Sequence, residues 1–465
     1  MKTFSAIKNI LPILSVFLYT QSIAQQVNEF SAKQAVDYAL KNSAQVKNAL
    51  IDIQVQKQTN KEITAAAFPQ INGNMYVNHF PNVAVQTFPN FIAAGTYGVL
   101  LKEGIKDGNG NPIQMPANFG IIEAQFGSKY TAGAGLDVNQ LLFDGQVFVG
   151  LQVRKIAIEF STKLAEVTSE QIKANVYKIY YQLVVGRKQI KSIDDNIERF
   201  EKLLHDTREI FKNGFAEKLD VDKVEVQLNN LRTEKLKAEN LIEGGYAGLK
   251  FLLSMPQKDK LILTDSLSEE ELKANILEET YNYADRKEYQ QLAILEKLNG
   301  YNIRRYKLSK LPTIALSGNY SKSAQRQKFD FFQGNYFTSS FIGLRMSVPI
   351  FDGGARNARI EKAKLEFQKI GNNIEQLKLS IDNDVEQARL KMKSALATME
   401  SQKRNILLAE QVYRTTKLKY EQGLGSNQEI YNAQTELKVA QNNYYSSLYD
   451  AINAKVDYLK AAGKL

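Results

Sequence analysis

Two periodicities take turns along this chain. From Phe367 through Ile374, Ile381, Val385, Ala388, Met392, Met399 and Tyr413 to Tyr420, apolar or hole-filling residues recur in a 3-4 alternation whose mean spacing is about 3.5, interrupted at Gln402 and Thr416. The same rule reappears 209 residues earlier, at Ile172, Val176, Ile179, Leu183, Ile190, Ile193, Ile197, Phe200, Leu204 and Phe211. Each seam predicts a supercoiled helix of roughly 60 residues, about 90 Å long at ~1.5 Å per residue, too long for a globular core. Both helices are expected to stop at a glycine, Gly214 and Gly423, which supplies the left-handed residue that lets the chain reverse into a second heptad-like run, Leu219 to Leu253 and Ile430 to Leu459. Each copy therefore holds a long helical hairpin. Shorter helices are expected before the strands, one opened by the capping box Ser31-Ala32-Lys33-Gln34 and running toward Ala67, the other from Glu269 toward Lys310.

Between short and long helix the period switches to two. Ile71, Met75 and Val77 alternate with Asn72, Asn74 and Asn78, and Ala132, Ala134, Leu136 and Val138 alternate with Gly133, Gly135, Asp137 and Asn139. In the second copy Ile314, Leu316 and Tyr320 alternate with Thr313, Ser317 and Asn319, and Ile342, Leu344, Met346, Val348 and Ile350 alternate with Gly343, Arg345, Ser347 and Pro349. An ordinary sheet on a soluble core has such alternation too, but strands of ~10 residues with one apolar and one wet face suit an outer-membrane barrel. Four strands leave two edges that lipid does not tolerate, so several subunits must share one barrel. Two copies would give eight strands, three twelve and four sixteen, and the last two leave a passage.

The chain is a duplication. Leu136 to Gly145 aligns with Leu344 to Gly353 at an offset of 208, each ending in Phe-Asp-Gly: Phe143-Asp144-Gly145 and Phe351-Asp352-Gly353. These read as strand-to-helix corners. Gly353-Gly354 lacks the Lys-Ser/Thr of a phosphate loop. The first copy carries 35 extra residues, within 81–128, and their prolines and Lys106-Asp107-Gly108-Asn109-Gly110 predict a long loop on the extracellular side. The organisation expected is residues 1–24 a signal peptide, 25–253 a first repeat, 254–268 an equatorial linker and 269–465 a second repeat.

Composition narrows the function. With no Cys and two His among 465 residues, thiolate sites are excluded and a metal motif or a Ser/His/Asp triad has few candidates. The net charge of +10 comes from Lys and Arg mixed with Asp and Glu along helices, which reads as solvated helix faces instead of a nucleic-acid patch. Lys2 and Lys8, an apolar run from Ile10 to Tyr19 and Ser22-Ile23-Ala24 follow the order of a secretory signal, with cleavage expected after Ala24. That run is about half of the ~20 residues a spanning helix needs.

Helix, strand pair ending in Phe-Asp-Gly, long helix, Gly-centred tip and return helix, all occurring twice, resemble the outer-membrane efflux proteins of the TolC family over nearly the whole mature chain. Arg286-Lys287-Glu288-Tyr289 and Leu252-Leu253-Ser254-Met255-Pro256 belong to the same resemblance. It implies an α+β membrane protein: a homotrimer with a 12-stranded barrel in outer-membrane lipid continuous with a 12-helix periplasmic tube. It further implies a non-enzymatic channel without cofactor, metal or nucleic acid. Its partners would be a periplasmic adaptor (membrane fusion protein) and an inner-membrane pump of RND, ABC or MFS type. By the family's tip pattern, Asp220, Glu429 and Tyr420 fall at the periplasmic aperture, and Gly214, Phe215, Gly423, Leu424 and Gly425 at the hairpin tips that meet an adaptor. The second acidic positions hold Lys223 and Asn432, and Gly425 stands where the family has Arg. Asp220 and Glu429 also suit the N-terminal dipole of a return helix, and the two roles are compatible. The rivals are a periplasmic coiled-coil adaptor, which would carry one hairpin and not two, and an enzyme or peptidoglycan-binding structural protein with long coiled coils, which leaves the four strands unexplained.

Overall fold

The computed structural model describes residues 27–125, 127–265, 272 and 280–465. The expected signal sequence and the start of a helix at Glu269 lie outside them. The chain divides into two compact units, one holding residues up to 55, 158–296 and 369–465, the other 56–157 and 297–368.

The first unit is helical. Strand β1 (Val27–Phe30) pairs in parallel with β6 (Lys260–Leu263), and Ser31 caps helix α1 (Ala32–Asn42), its hydroxyl accepting from the Gln34 amide at 3.2 Å while Gln34 Oε1 accepts from the Ser31 amide at 2.8 Å. The expected single helix to Ala67 breaks at Ser43, whose ψ of 129° is extended, and α2 (Ala44–Ala65) follows. Small residues Ala32, Ala35 and Ala39 let α1 lie close against Val176, Tyr180 and Leu183 of α4 (Gly145–Lys212) and Leu249 of α5 (Lys218–Leu252). The Tyr180 hydroxyl is satisfied there, donating to the Phe30 carbonyl at 2.8 Å and accepting from the Asp265 amide at 3.1 Å.

The second hairpin joins α7 (Ala355–Glu421) to α8 (Asn427–Ala461). Every seam position named above between Phe367 and Tyr420 is buried or half-buried. In the first hairpin the seam holds through Leu204, and Phe211 at its end is exposed. Polar pairs also cross between the hairpins: buried Asn196 donates to Gln441 Oε1 at 2.7 Å, and Lys438 bridges Glu234 at 2.7 Å.

The second unit holds the sheet. Strands β2 (Gln70–His79), β5 (Tyr130–Phe143), β7 (Thr313–Arg326) and β8 (Phe337–Ser347) form an antiparallel sheet in the order β2-β5-β7-β8. Two strands are longer than the alternation indicated. The last stops at Ser347, before Pro349, which has no N–H for a ladder. The extra residues of the first copy are not a bare loop: β3 (Val85–Pro89) and β4 (Ile121–Gln125) pair around helix α3 (Phe91–Lys102). Helix α6 (Lys287–Leu308) leads into β7.

Candidate functional site: sheet faces and hairpin tips

Register sorts the strand residues onto two faces. Ile71 pairs with Val138, Val138 with Gly318 and Gly318 with Ile342, while Leu136 pairs with Tyr320 and Leu316 with Leu344. One face therefore carries Ile71, Met75, Val77, Leu136, Val138, Leu316, Tyr320, Ile342, Leu344 and Met346, and all of them are exposed, Met75 to 82% and Ile342 to 85%. Water does not favour such a wall, since each large aliphatic gains about 1.5–3 kcal/mol on leaving it. The opposite face is mostly polar, with Asn72, Asn74, Asp137, Asn139, Ser317, Asn319 and Ser321, and it also carries the aromatic rings of Tyr76, Phe337 and Phe341. Toward the loops the sheet ends in an aromatic cluster, His79 stacked on Tyr130 at 4.5 Å, Tyr130 edge-on to Phe329 at 5.8 Å, and Phe329 edge-on to Phe331 at 5.4 Å. The chain has no Trp, so Tyr, Phe and His make up this cluster. Among the described residues, strands β2 and β8 each pair on one side only.

At the other end the Phe-Asp-Gly corners are built as helix starts. Asp144 Oδ1 accepts from the Gln146 amide at 2.7 Å, and Asp352 Oδ2 accepts from the Arg356 amide and from its guanidinium, both at 3.0 Å. A side chain at Gly145 would come within 2.7 Å of Leu308 Cβ, and Gly353 has φ of +66°, so glycine is required at both corners. Phe143 packs on Phe148 at 5.6 Å, whereas Phe351 is exposed.

The two hairpin tips share one backbone solution. Gly214 (φ +81°) and Gly423 (φ +74°) end their helices, and the following amides, Phe215 and Leu424, donate back to the carbonyls of Ile210 (3.0 Å) and Lys419 (2.9 Å). Phe215 and Leu424 point into solvent, 86% and 78% exposed. A side chain at Gly425 would meet the Tyr420 backbone nitrogen at 3.1 Å, a tight contact that would require the turn to shift slightly. Asp220 lies in the first turn of α5, accepting from the Glu217 amide at 3.4 Å with Lys223 Nζ at 3.8 Å. Glu429 lies in the first turn of α8 and is exposed, its amide donating to Ser426 Oγ at 3.2 Å. Both acids thus sit at helix N-termini, as the dipole argument expects.

The sequence pattern missed what joins the tips. Asn427 Oδ1 accepts from the fully buried Thr207 hydroxyl at 3.0 Å and from Tyr420 at 3.4 Å, so a residue of the second hairpin closes on the first. Beneath it Phe200, Leu204, Val224, Leu228, Leu231 and Ile430 form a core. Burial pushes the hydroxyls of Tyr413 and Tyr420 up, with Arg199 and Thr207 respectively pulling the other way. A cavity of about 490 Å³ opens beside them, where Arg199 lies over the Tyr413 ring at 5.7 Å and Lys202 and Lys417 each stand 3.8 Å from Glu421. Among the described residues no cluster of three or more His, Asp and Glu could hold a metal, and no helix is long and apolar enough to cross a membrane.

Known proteins share this arrangement. Residues 286–464 match the profile of the outer membrane efflux protein family. A probable efflux pump outer membrane protein of Pseudomonas putida, TtgC, is 25% identical over 77% of this chain and 74% of its own. The proteases secretion protein PrtF of Dickeya chrysanthemi is 20% identical over 58% and 60%. The CmeC outer membrane channel of Campylobacter jejuni has the same fold, with a TM-score of 0.71 over 93% of this chain and 85% of that one at 17% identity. The family profile falls within the second copy of the duplication and the fold matches that of an outer membrane channel along nearly the whole chain, so the protein is similar to the outer membrane efflux proteins in sequence and in architecture.

Proposed function

We propose that this chain is one of three identical subunits of an outer-membrane exit duct, serving efflux or type I secretion together with a periplasmic adaptor and an inner-membrane pump. The observation that carries the reading is the four-stranded sheet: one face exposed and apolar up to Tyr320, with Lys322 and Arg326 at its loop end, the other mostly polar, and β2 and β8 each paired on one side only among the described residues. Lipid covers the first face, water the second, and neighbouring copies pair the edges, so that three subunits close a barrel of twelve strands. A second feature fits the same assembly. Leu365, Leu379, Leu390 and Leu408 of α7 are exposed and fall on one side of the helix at about 100° per residue, a stripe that a neighbouring subunit would cover in a twelve-helix periplasmic tube.

In this reading residues 25–253 and 269–465 are the two repeats, 254–268 the equatorial linker between them, and 81–128 an extracellular module. Asp220, Glu429 and Tyr420 narrow the periplasmic mouth, while Phe215 and Leu424 on their glycine turns offer apolar contacts to an adaptor. The chain works as a channel and not as an enzyme. Cross-linking of the detergent-solubilised protein should stop at trimer. A ladder that ends at monomer overturns the shared barrel.

A further inference from the structure

The polar face of the sheet carries two charges on an otherwise neutral wall, and they stand at different heights. Asp137 on β5 pairs with Asn319 of β7, and Arg345 on β8 pairs with Ala315 of β7. Those partners are four residues apart on one strand, about 13 Å at ~3.3 Å per residue. The remaining strand residues of this face, among them Asn72, Asn139, Ser317, Ser321 and Ser339, are uncharged.

The carboxylate is held in place. Asn74 Nδ2 of β2 donates to its Oδ2, and Asn319 Nδ2 of β7 donates to its Oδ1 at 2.7 Å, so Asp137 is clipped to both neighbouring strands. Two glycines on the same face of β5 make the clip feasible. A side chain at Gly133 would lie 2.8 Å from the Tyr76 ring, and one at Gly135 would lie 2.9 Å from Ser321 Cβ and 3.1 Å from Asn74 Oδ1. Their absence lets Tyr76 and Asn74 lie flat across β5 and brings the Asn74 amide to the carboxylate. A charge fixed by two donors cannot swing away from a passing ion, as a free Asp could.

We propose that Asp137 and Arg345 form two charged levels in the channel lumen, positive nearer the long helices and negative nearer the loops, that sort cargo by charge inside the barrel. The proposal rests on the trimeric barrel reading, which makes the polar face the lumen and multiplies each charge by three. Cargo leaving the cell passes the guanidinium level first and the carboxylate level second, an order that favours organic cations and zwitterions at the outer level and slows anions there.

The absence of cysteine from the chain permits a direct test. Single-cysteine variants Asn72→Cys, beside Asp137 in the register, and Ser347→Cys, two residues from Arg345, are placed in full-length protein in membrane vesicles. Each is reacted with a trimethylammonium and with a sulfonate methanethiosulfonate of similar size. Asn72→Cys should react on the order of fivefold faster with the cation at low salt, and Ser347→Cys faster with the anion, both preferences fading toward 1 M salt. Asp137→Asn should flatten the first preference while Asp137→Glu retains it, and Arg345→Gln should flatten the second while Arg345→Lys retains it. Preferences unmoved by Asp137→Asn and Arg345→Gln overturn the proposal. Ile342→Cys, on the apolar face, separates the two levels of failure: if it reacts as fast as Asn72→Cys with these water-soluble reagents, the barrel reading itself falls.

Discussion

The two hairpin tips have the same backbone and different chemistry. Each ends its long helix at a left-handed glycine and returns the next amide to a carbonyl five residues back, at positions 209 apart. Around that turn the copies diverge. Where the second hairpin has Tyr413, Tyr420 and Asn427, the first has Leu204, Phe211 and Lys218, and Asn427 accepts a hydrogen bond from Thr207 of the first. Where the first hairpin sets Lys223 3.8 Å from Asp220, the second follows Glu429 with the neutral Asn432. Duplication thus kept the turn, which few sequences can make, and released the side chains around it for separate work.

The contrast can be broken at its core first. Phe200 is fully buried and meets Tyr431 edge-on at 6.2 Å, so Phe200→Ala should cost about 3–5 kcal/mol and loosen both tips together in hydrogen exchange. Loss of protection confined to the first hairpin would mean the tips are not one packed body. Next in size is Asn427→Ala, which strands the buried Thr207 hydroxyl and should cost about 1–3 kcal/mol. The equivalent Lys218→Ala, at an exposed site, should stay within about 0.5 kcal/mol, and thermal melts of the two variants compare them.

A smaller effect distinguishes the hairpins by pH. Tyr413 and Tyr420 have hydroxyls raised by burial, so ionising them costs more in the folded tip than in the unfolded chain. Their contribution is complete below the unfolded tyrosine value of about 10 and is lost as pH rises past it. Alkaline titration should therefore release the second tip, and Tyr413→Phe with Tyr420→Phe should remove the dependence. Smallest is the charge at the proposed mouth: Glu429→Gln should lower the cation-to-anion permeability ratio in planar bilayers about twofold and weaken divalent block, and Asp220→Asn should do less because Lys223 already offsets it. Equal effects would show that the ion pair does not matter there.

Most of this fold was legible because long-period patterns are local. The seam from Phe367 to Tyr420 lies buried or half-buried along α7, and the alternation at 71–77, 132–138, 314–320 and 342–346 lies in the four strands as expected. What escaped is what periodicity does not encode. Helix α3 is apolar all round, Phe91-Ile92-Ala93-Ala94-Gly95, so it shows neither period, and the break at Ser43 is a single backbone torsion. Of the candidate site, the glycines and corner aspartates were legible from their local roles. The Thr207 to Asn427 contact joins residues 220 apart, and the clip on Asp137 joins three strands, so neither leaves a mark at short range.

The unpaired edges of β2 and β8 also bear on heredity. A subunit whose own sheet is sound but whose edge cannot pair would enter assembly and stall it. If three chains close each barrel as proposed, then in a cell making equal amounts of intact and edge-defective chains about one trio in eight would draw all three members from the intact pool and close. Such an allele would be dominant, while one that prevents the chain from folding at all would be recessive.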